Sequence, residues 1–353
     1  MSSDGLLNME LSGSPYERGY KYGVACKDRI ASLLEVDFYK EFDGKLPKEQ
    51  MIKHARKYIP FIEDYSPEIT EELKGIADGS ERLFEEIIMI NALEEKESFE
   101  KRECTAFAVT SKSTINGETY YGQNWDGLAS EWLEGKISLL FKVRRKNGPD
   151  ILNYTNPGIL SCAGINSYGL GISWTSVPRL ELKPGVPTYI IVAEVLRQKT
   201  IGDALDAVLK ADRAGCFHFI IADETEIYSI EATPKDVDID YSDTFVVHTN
   251  HYISEKFYAK QNIAQLKADT FVRYNRMKRL IKENFGKITL RTCMDLLRDH
   301  VNYPSSICKH PDERANEKFR GLTLDSWVIV PTLKEFWLAH GSPCRNEYIK
   351  YTF

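Results

Sequence analysis

The seven cysteines of this 353-residue chain are scattered singly, with no CxxC pair and an odd total. That spacing points away from a disulfide framework and from a zinc knuckle, and leaves most of the thiols as small buried hydrophobes. Also missing are a glycine-rich phosphate loop, an HExxH metal motif and a GxSxG elbow at a convincing position. No apolar run approaches transmembrane length, and the first residues, MSSDGLLN, lack the basic start and apolar stretch of a secretory signal. Basic residues do not predominate: 46 Lys and Arg stand against 52 Asp and Glu, a net charge of -6, which offers no general attraction to phosphate backbones or anionic membranes. The expectations are a cytoplasmic protein with no cofactor, no metal, no nucleic-acid partner and no membrane association.

An apolar fraction of 42% beside 28% charged residues is enough for a sizeable core. The length suits one large domain spanning 1–353. Its texture changes near residue 103. From Ser14 to about Glu97 apolar residues recur at helical spacing, opened by Ser14 and Pro15 as N-cap and first-turn pair, broken at Pro60 and Pro67, and resumed over Ser80 to Leu93. Beyond Arg102 come short β-branched and aromatic runs with turn residues between them. Cys104 to Thr110 and Thr119 to Trp125 flank Asn116-Gly117, a pair suited to a tight hairpin turn. Further strands are expected at 137–144, 151–154, 159–165, 169–174, 217–222, 226–231, 244–248, 323–330 and 334–339. Helices are expected at 188–197, 202–211, 268–284 and 290–299. This is an α+β pattern, mainly antiparallel sheets covered by helices, with a helical N-terminal segment.

One local constellation stands out. Cys104-Thr105 opens a strand, and Gly122-Gln123-Asn124-Trp125-Asp126 closes its hairpin partner. Residues opposite one another in a hairpin lie about 5 Å apart, so a nucleophile and a carboxylate can be neighbours there. Taken with HTNH at 248–251, YPSSICKH at 303–310, GSPCRNEY at 341–348 and SGSPYERGYKYG at 12–23, this order of motifs resembles the acyl-coenzyme A:6-aminopenicillanic acid acyltransferase family, also described as peptidase family C45 or linear amide hydrolases.

The resemblance implies a four-layer αββα sandwich of the N-terminal-nucleophile type and a precursor that cuts itself between Glu103 and Cys104. The products would be an α chain, 1–103, and a β chain, 104–353, that stay associated. By the same resemblance Cys104 is the nucleophile, Asp126 contacts the new amino group, Asn250 belongs to the oxyanion hole, and Lys309 stands where the family's best-known enzyme has arginine. Lysine keeps the charge but not the planar fork. Glu103 is a second departure, replacing a glycine. Thr105, Tyr121 and Trp174 are taken as substrate-binding positions, although core packing is the safer reading of Tyr121 and Trp174. The substrate class is a small N-acyl amine or peptide-like amide, with water as first-choice acceptor. Acyl-coenzyme A-dependent transfer and an uncleaved binding protein of the same fold are the alternatives, and homo-oligomerisation stays open. His248 and His251, three apart, lack a carboxylate or cysteine at ligand spacing and are read as structural. Cys308, beside Lys309, is read as a buried thiol ahead of a second reactive one.

Overall fold

The computed structural model describes residues 6–35, 39, 47–95, 103–128, 138–317 and 320–353. The chain opens with β1 (Leu7–Leu11) and the long helix α1 (Pro15–Leu33), followed by α2 (Lys48–Ala55), α3 (Ile59–Tyr65), α4 (Pro67–Ser80) and α5 (Phe84–Asn91). Ser14 and Glu17 form a reciprocal capping box at the start of α1: the Ser14 N–H donates to Glu17 Oε2 at 2.7 Å, and the Glu17 N–H to Ser14 Oγ at 3.3 Å. Pro60 and Pro67 lie in the first turns of α3 and α4, where a missing N–H costs nothing. The helix expected over 80–93 begins later. Its N-terminus is fixed by Glu86, whose Oε2 accepts the Leu83 N–H at 2.9 Å, and Glu81 ends α4 in the left-handed region with φ 55°.

Helices α1 and α4 cross at backbone contact. Gly19 and Gly23 face Gly75 and Gly79; a Cβ on Gly19 would lie 1.9 Å from the Glu72 carbonyl oxygen, and one on Gly75 2.2 Å from that of Tyr16. Glycines four apart on both helices make this approach feasible. Buried Arg18 then pairs with Glu68 at 3.0 Å and Glu72 at 2.9 Å beside the crossing. From α1, Tyr22 reaches the sheet below, donating to the carbonyls of Asn156 and Ile159.

The strands form two sheets. The smaller holds β2 (Glu103–Val109), β3 (Tyr120–Leu128), β11 (Phe245–His248), β12 (Gly321–Val330), β13 (Glu335–His340) and β14 (Ile349–Tyr351), in the order β11-β2-β3-β12-β13-β14 and antiparallel throughout. The larger runs β1-β4-β5-β6-β7-β8-β9-β10, with β4 (Leu139–Val143), β5 (Ile151–Thr155), β6 (Ala163–Asn166), β7 (Gly171–Ser176), β8 (Phe217–Ala222), β9 (Ile227–Ala232) and β10 (Val237–Ser242). Only its β1–β4 pair is parallel among the described pairings. Trp125, Trp174 and Trp327, each at most 1% exposed, meet between the sheets, with Trp125 and Trp174 edge to face at 5.2 Å. Helices α6 (Thr188–Val195) and α7 (Ile201–Lys210) cover the larger sheet together with the N-terminal helices, whereas α9 (Asp269–Glu283) and α10 (Leu290–Leu297) cover the smaller. The short helix α8 (Glu255–Tyr258) precedes α9. The layer order is αββα. Strands β2 and β3 are therefore covered on both faces, and every β2 residue is buried.

Three differences from the sequence reading have local causes. The β2–β3 connection is not a two-residue turn: Ser113 accepts the Gly286 N–H, and Ile115 donates to the Ile288 carbonyl, so residues 110–119 are drawn onto the segment after α9, with Gly117 at φ 73° inside a longer loop. The strand expected at 159–165 shortens to Ala163–Asn166, because Tyr22 and Asn91 bond the backbone at Ile159 and Leu160. The strands β1, β10 and β14 were not anticipated; all three are short sheet edges, and although LNMEL and VDIDYS alternate apolar with polar residues, their side chains are only partly buried.

Candidate active site

Strand β2 begins at the expected scissile pair. Its register with β3 sets Glu103 opposite Asp126 and Cys104 opposite Trp125, one residue away from a Cys104–Asp126 pair. Side chains alternate across a strand, so Cys104 and Trp125 point between the two sheets, while Glu103, Thr105 and Asp126 point toward α9 and α10. Asp126 thus neighbours the Glu103–Cys104 peptide and not the thiol. The thiol is 1% exposed. Burial pushes its pKa well above the usual value and the Asp126 charge adds to that, against Arg273 and a hydrogen bond from Gln123.

Around the peptide stands a set of charges on which sequence reading had only a partial hold. Arg273, fully buried on α9, was missed and is the hub. Its Nη1 donates to the Cys104 carbonyl oxygen at 2.5 Å and to Thr105 Oγ1 at 2.9 Å; its Nη2 donates to Asn250 Oδ1 at 3.0 Å and to Glu103 Oε2 at 3.2 Å; its Nε donates to Asp269 Oδ2 at 3.0 Å. Lys309 donates to Glu103 Oε2 and, at 3.2 Å, to Asp269 Oδ2, and Lys267 reaches Glu103 Oε1. Burial works to raise the Glu103 pKa, but Lys309, Arg273 and Lys267 together hold it well below the carboxylate range. Lys309 touches no Asp126 oxygen.

Asp126 keeps different company. Thr323 Oγ1 donates to its Oδ1 at 2.7 Å, and its buried Oδ2 has no partner among the described residues. Burial, only partly offset by Lys309 and Arg273, raises its pKa to about 7. Thr323 also accepts the Lys309 N–H on the same hydroxyl at 2.9 Å and donates its own N–H to the Lys309 carbonyl, so Lys309 and Asp126 are set by one residue.

Asn250 follows β11 in a loop braced from below. Its N–H donates to Thr270 Oγ1 at 2.8 Å, and Glu231 accepts from Ile253, Ser254 and His248 nearby. The side chain presents its oxygen to the scissile residue, accepting the Cys104 N–H at 2.9 Å, and directs Nδ2 to the carbonyl and hydroxyl of Ser176 at 3.0 and 3.1 Å. His248 and His251 diverge. His248 stacks on His218 at 3.5 Å between Thr175 and Glu231, whereas His251 turns to Thr249 and Thr270, its pKa lowered to about 4 by burial and then by His248 and Arg273. Thr105 lies on the Arg273 side of the sheet. Tyr121 is buried and donates to the Gly164 carbonyl at 3.0 Å, and Trp174 packs against Trp125 and Tyr189 with its indole N–H unpartnered among the described residues.

Residues 113–343 match the family described as acyl-coenzyme A:6-aminopenicillanic acid acyl-transferase. A protein of Emericella nidulans described as the 40 kDa form of that acyltransferase is 30% identical over 348 residues, covering 96% of this chain and 93% of its own length. The chain belongs to that family. Membership of that acyltransferase family makes it an enzyme. An uncharacterized protein of Archaeoglobus fulgidus is 22% identical over 86% of this chain and 59% of its own. Among solved structures, a conjugated bile acid hydrolase of Clostridium perfringens gives a TM-score of 0.49 at 12% identity, over 71% of this chain and 97% of that one. Penicillin V acylase of Agrobacterium tumefaciens gives 0.47, also at 12%, over 67% and 83%. No helix among the described residues is long and apolar enough to cross a membrane.

Proposed function

We propose that this family member is a self-processing cysteine amide hydrolase that cuts between Glu103 and Cys104 and then uses Cys104 as its nucleophile. One observation carries the reading: the residues on both sides of that single peptide bond are held by four side chains from three distant segments. Asn250 takes the Cys104 N–H, Arg273 takes the Cys104 carbonyl, and Arg273, Lys309 and Lys267 take the Glu103 carboxylate. A buried strand start that served only packing would not need two cations within 10% exposure around a glutamate.

In the processing step the Cys104 sulfur attacks the Glu103 carbonyl carbon, the C–N bond breaks as the thiol proton passes to nitrogen, and water then cleaves the resulting thioester. The products are a peptide ending in the Glu103 carboxylate and a Cys104 with a free α-amine. That amine, with a reference pKa of about 7.7–8.0 against about 8.5 for a thiol, can accept the thiol proton near neutral pH. Asp126, beside the cut, would hold the ammonium form, and Asn250 Oδ1 keeps an acceptor aimed at the same nitrogen. Attack on a substrate amide gives an acyl-cysteine and a free amine, and water releases the acid. For Asn250 Nδ2 to serve the oxyanion it must exchange its Ser176 contacts. Once the Glu103 carboxylate leaves, Lys309 and Lys267 lose their shared anion, which favours a substrate with a carboxylate of its own.

The test compares wild type with Cys104→Ala on a denaturing gel and with purified N-acyl amines. Wild type is expected to separate into 1–103 and 104–353 and to hydrolyse an N-acyl amino acid better than its methyl ester; the variant stays whole and inactive. An intact wild type with no thiol-dependent turnover would sink the proposal. Turnover only when acyl-coenzyme A and an amine are both supplied would assign acyl transfer, the activity carried in the name of the Emericella relative, in place of hydrolysis.

A further inference from the structure

Behind Lys309 lies a second cluster that the amide chemistry does not use. His300 follows α10, Cys308 and His310 flank Lys309, and Cys344 comes from the segment after β13; their ligand atoms all lie within 4.8 Å of one another. His310 Nε2 is the shared point, 3.0 Å from His300 Nε2, 3.6 Å from Cys308 Sγ and 3.5 Å from Cys344 Sγ. A neutral imidazole nitrogen has one lone pair or one proton, so it cannot satisfy three partners at once. A cation among the four resolves that conflict. Zinc–sulfur bonds of ~2.3 Å and zinc–nitrogen bonds of ~2.05 Å at tetrahedral angles put sulfur and nitrogen about 3.6 Å apart. The two sulfur–nitrogen spacings at His310, 3.6 and 3.5 Å, are already close to that value.

We propose that His300, Cys308, His310 and Cys344 form a structural zinc site that pins the Lys309 segment to the chain end. Two thiolates and two neutral imidazoles give an uncharged centre with Zn²⁺, two thiol protons leaving to solvent, and with four protein ligands no position stays open for substrate. Cys308 and His310 are buried while His300 and Cys344 reach the surface, which gives the ion an entry path. The backbone is already fixed around the four: the Cys308 N–H bonds the Asp299 carbonyl at 3.0 Å, the His310 N–H the Pro304 carbonyl at 2.9 Å, and Arg298 Nε the Pro343 carbonyl at 2.8 Å. Because Lys309 sits between two of the ligands, the ion would hold the cation that grips Glu103. The site stands on this cluster alone and does not rest on the amidase reading.

The full-length chain, purified under reducing conditions without chelator, is assayed for metal content, titrated with Zn²⁺ against a chromophoric chelator, and substituted with Co²⁺ for its tetrahedral ligand-field bands. One zinc per chain is expected in wild type and in a Cys216→Ser control. His300→Ala and Cys344→Ser, both at the surface, are expected to keep the native circular dichroism and lose affinity by more than the roughly 10–100-fold that follows loss of an outer partner. Having two surface variants guards against one that misfolds. The proposal is overturned if wild type fails to compete with a micromolar chelator, if both variants bind as tightly as wild type, if bound cobalt shows octahedral bands, or if Cys308 and Cys344 instead form a disulfide that persists in the purified protein.

Discussion

Replacing Arg273 by lysine separates charge from geometry at the scissile bond. The guanidinium makes five hydrogen bonds with 1% of its side chain exposed, three of them to the chain at Glu103, Cys104 and Thr105. A lysine ammonium has three donors on a compact centre and cannot span Asp269, Glu103 and the Cys104 carbonyl together. At least two bonds are lost, one of them to a charged partner. At ~1–3 kcal/mol per buried group left unsatisfied, the loss of stability comes to about 2–6 kcal/mol. Arg273→Met should cost as much or more, since Glu103 and Asp269 then face Lys309 with one buried cation where there were two, and breaking a buried pair costs ~3–5 kcal/mol. The kinetic effect is distinct. A misplacement of ~1 Å can cost about 100-fold in rate, so Arg273→Lys should slow scission at least that much even where it folds. Urea denaturation of the uncut Cys104→Ala background gives the stability term, and band intensity over time after synthesis gives the rate. An Arg273→Lys chain that cleaves at the wild-type rate would refute the claim that this fork aligns the bond.

Two more predictions follow from burial and contact. Asp126 has a folded pKa raised to about 7, so its contribution to stability is complete below the unfolded value near 3.8 and is lost as pH rises through 7. About three pH units at ~1.36 kcal/mol each set an upper bound of about 4 kcal/mol. Glu95, raised to about 7 chiefly by burial, titrates in the same window, so the measurement is the difference between the uncut chain and its Asp126→Asn form between pH 4 and 8; identical slopes would remove Asp126 from the account. Glu103 acts in the opposite sense, its depressed pKa giving stability that is present above about pH 4.5 and lost in acid. At the α1–α4 crossing, Gly75→Ala sets a Cβ against the Tyr16 carbonyl, and the strain of ~1–3 kcal/mol outweighs the ~1 kcal/mol alanine gains as a helix former; a raised urea midpoint would refute the tight crossing.

Most of the layer structure was legible because buried elements announce themselves by period. The run at 217–222 has both faces covered and reads as a nearly continuous apolar or aromatic stretch, those at 226–231 and 323–330 carry enough β-branched and aromatic residues to read as strands, and the helices at 188–195, 201–210 and 290–297 fall within two residues of expectation. What failed was set by partners far along the chain. Nothing in TINGETYY reveals that Ile115 will pair with Ile288, and the alternation in VDIDYS is too short to place that edge strand without its one neighbour, β9.

The site divides in the same way. Motif order picked out Cys104, Asp126, Asn250 and Lys309, and the fold does gather them at the start of β2, but which atom faces which is decided by register. A shift of one residue moves a side chain to the other face, and it is that single step which puts Asp126 opposite Glu103. Arg273 carried a signal that was available. It falls at four-residue spacing with Met277 and Ile281 on the apolar stripe of α9, all three buried, and an arginine on an apolar stripe must find carboxylates and carbonyls to be tolerated there. Asp269, one turn earlier, is half of the answer. The other half is a strand start 170 residues away in the chain, at Glu103. The metal-type cluster shows the complementary case: ligands at 300, 308, 310 and 344 match no spacing rule, because two chain segments supply them and only the fold brings the segments together.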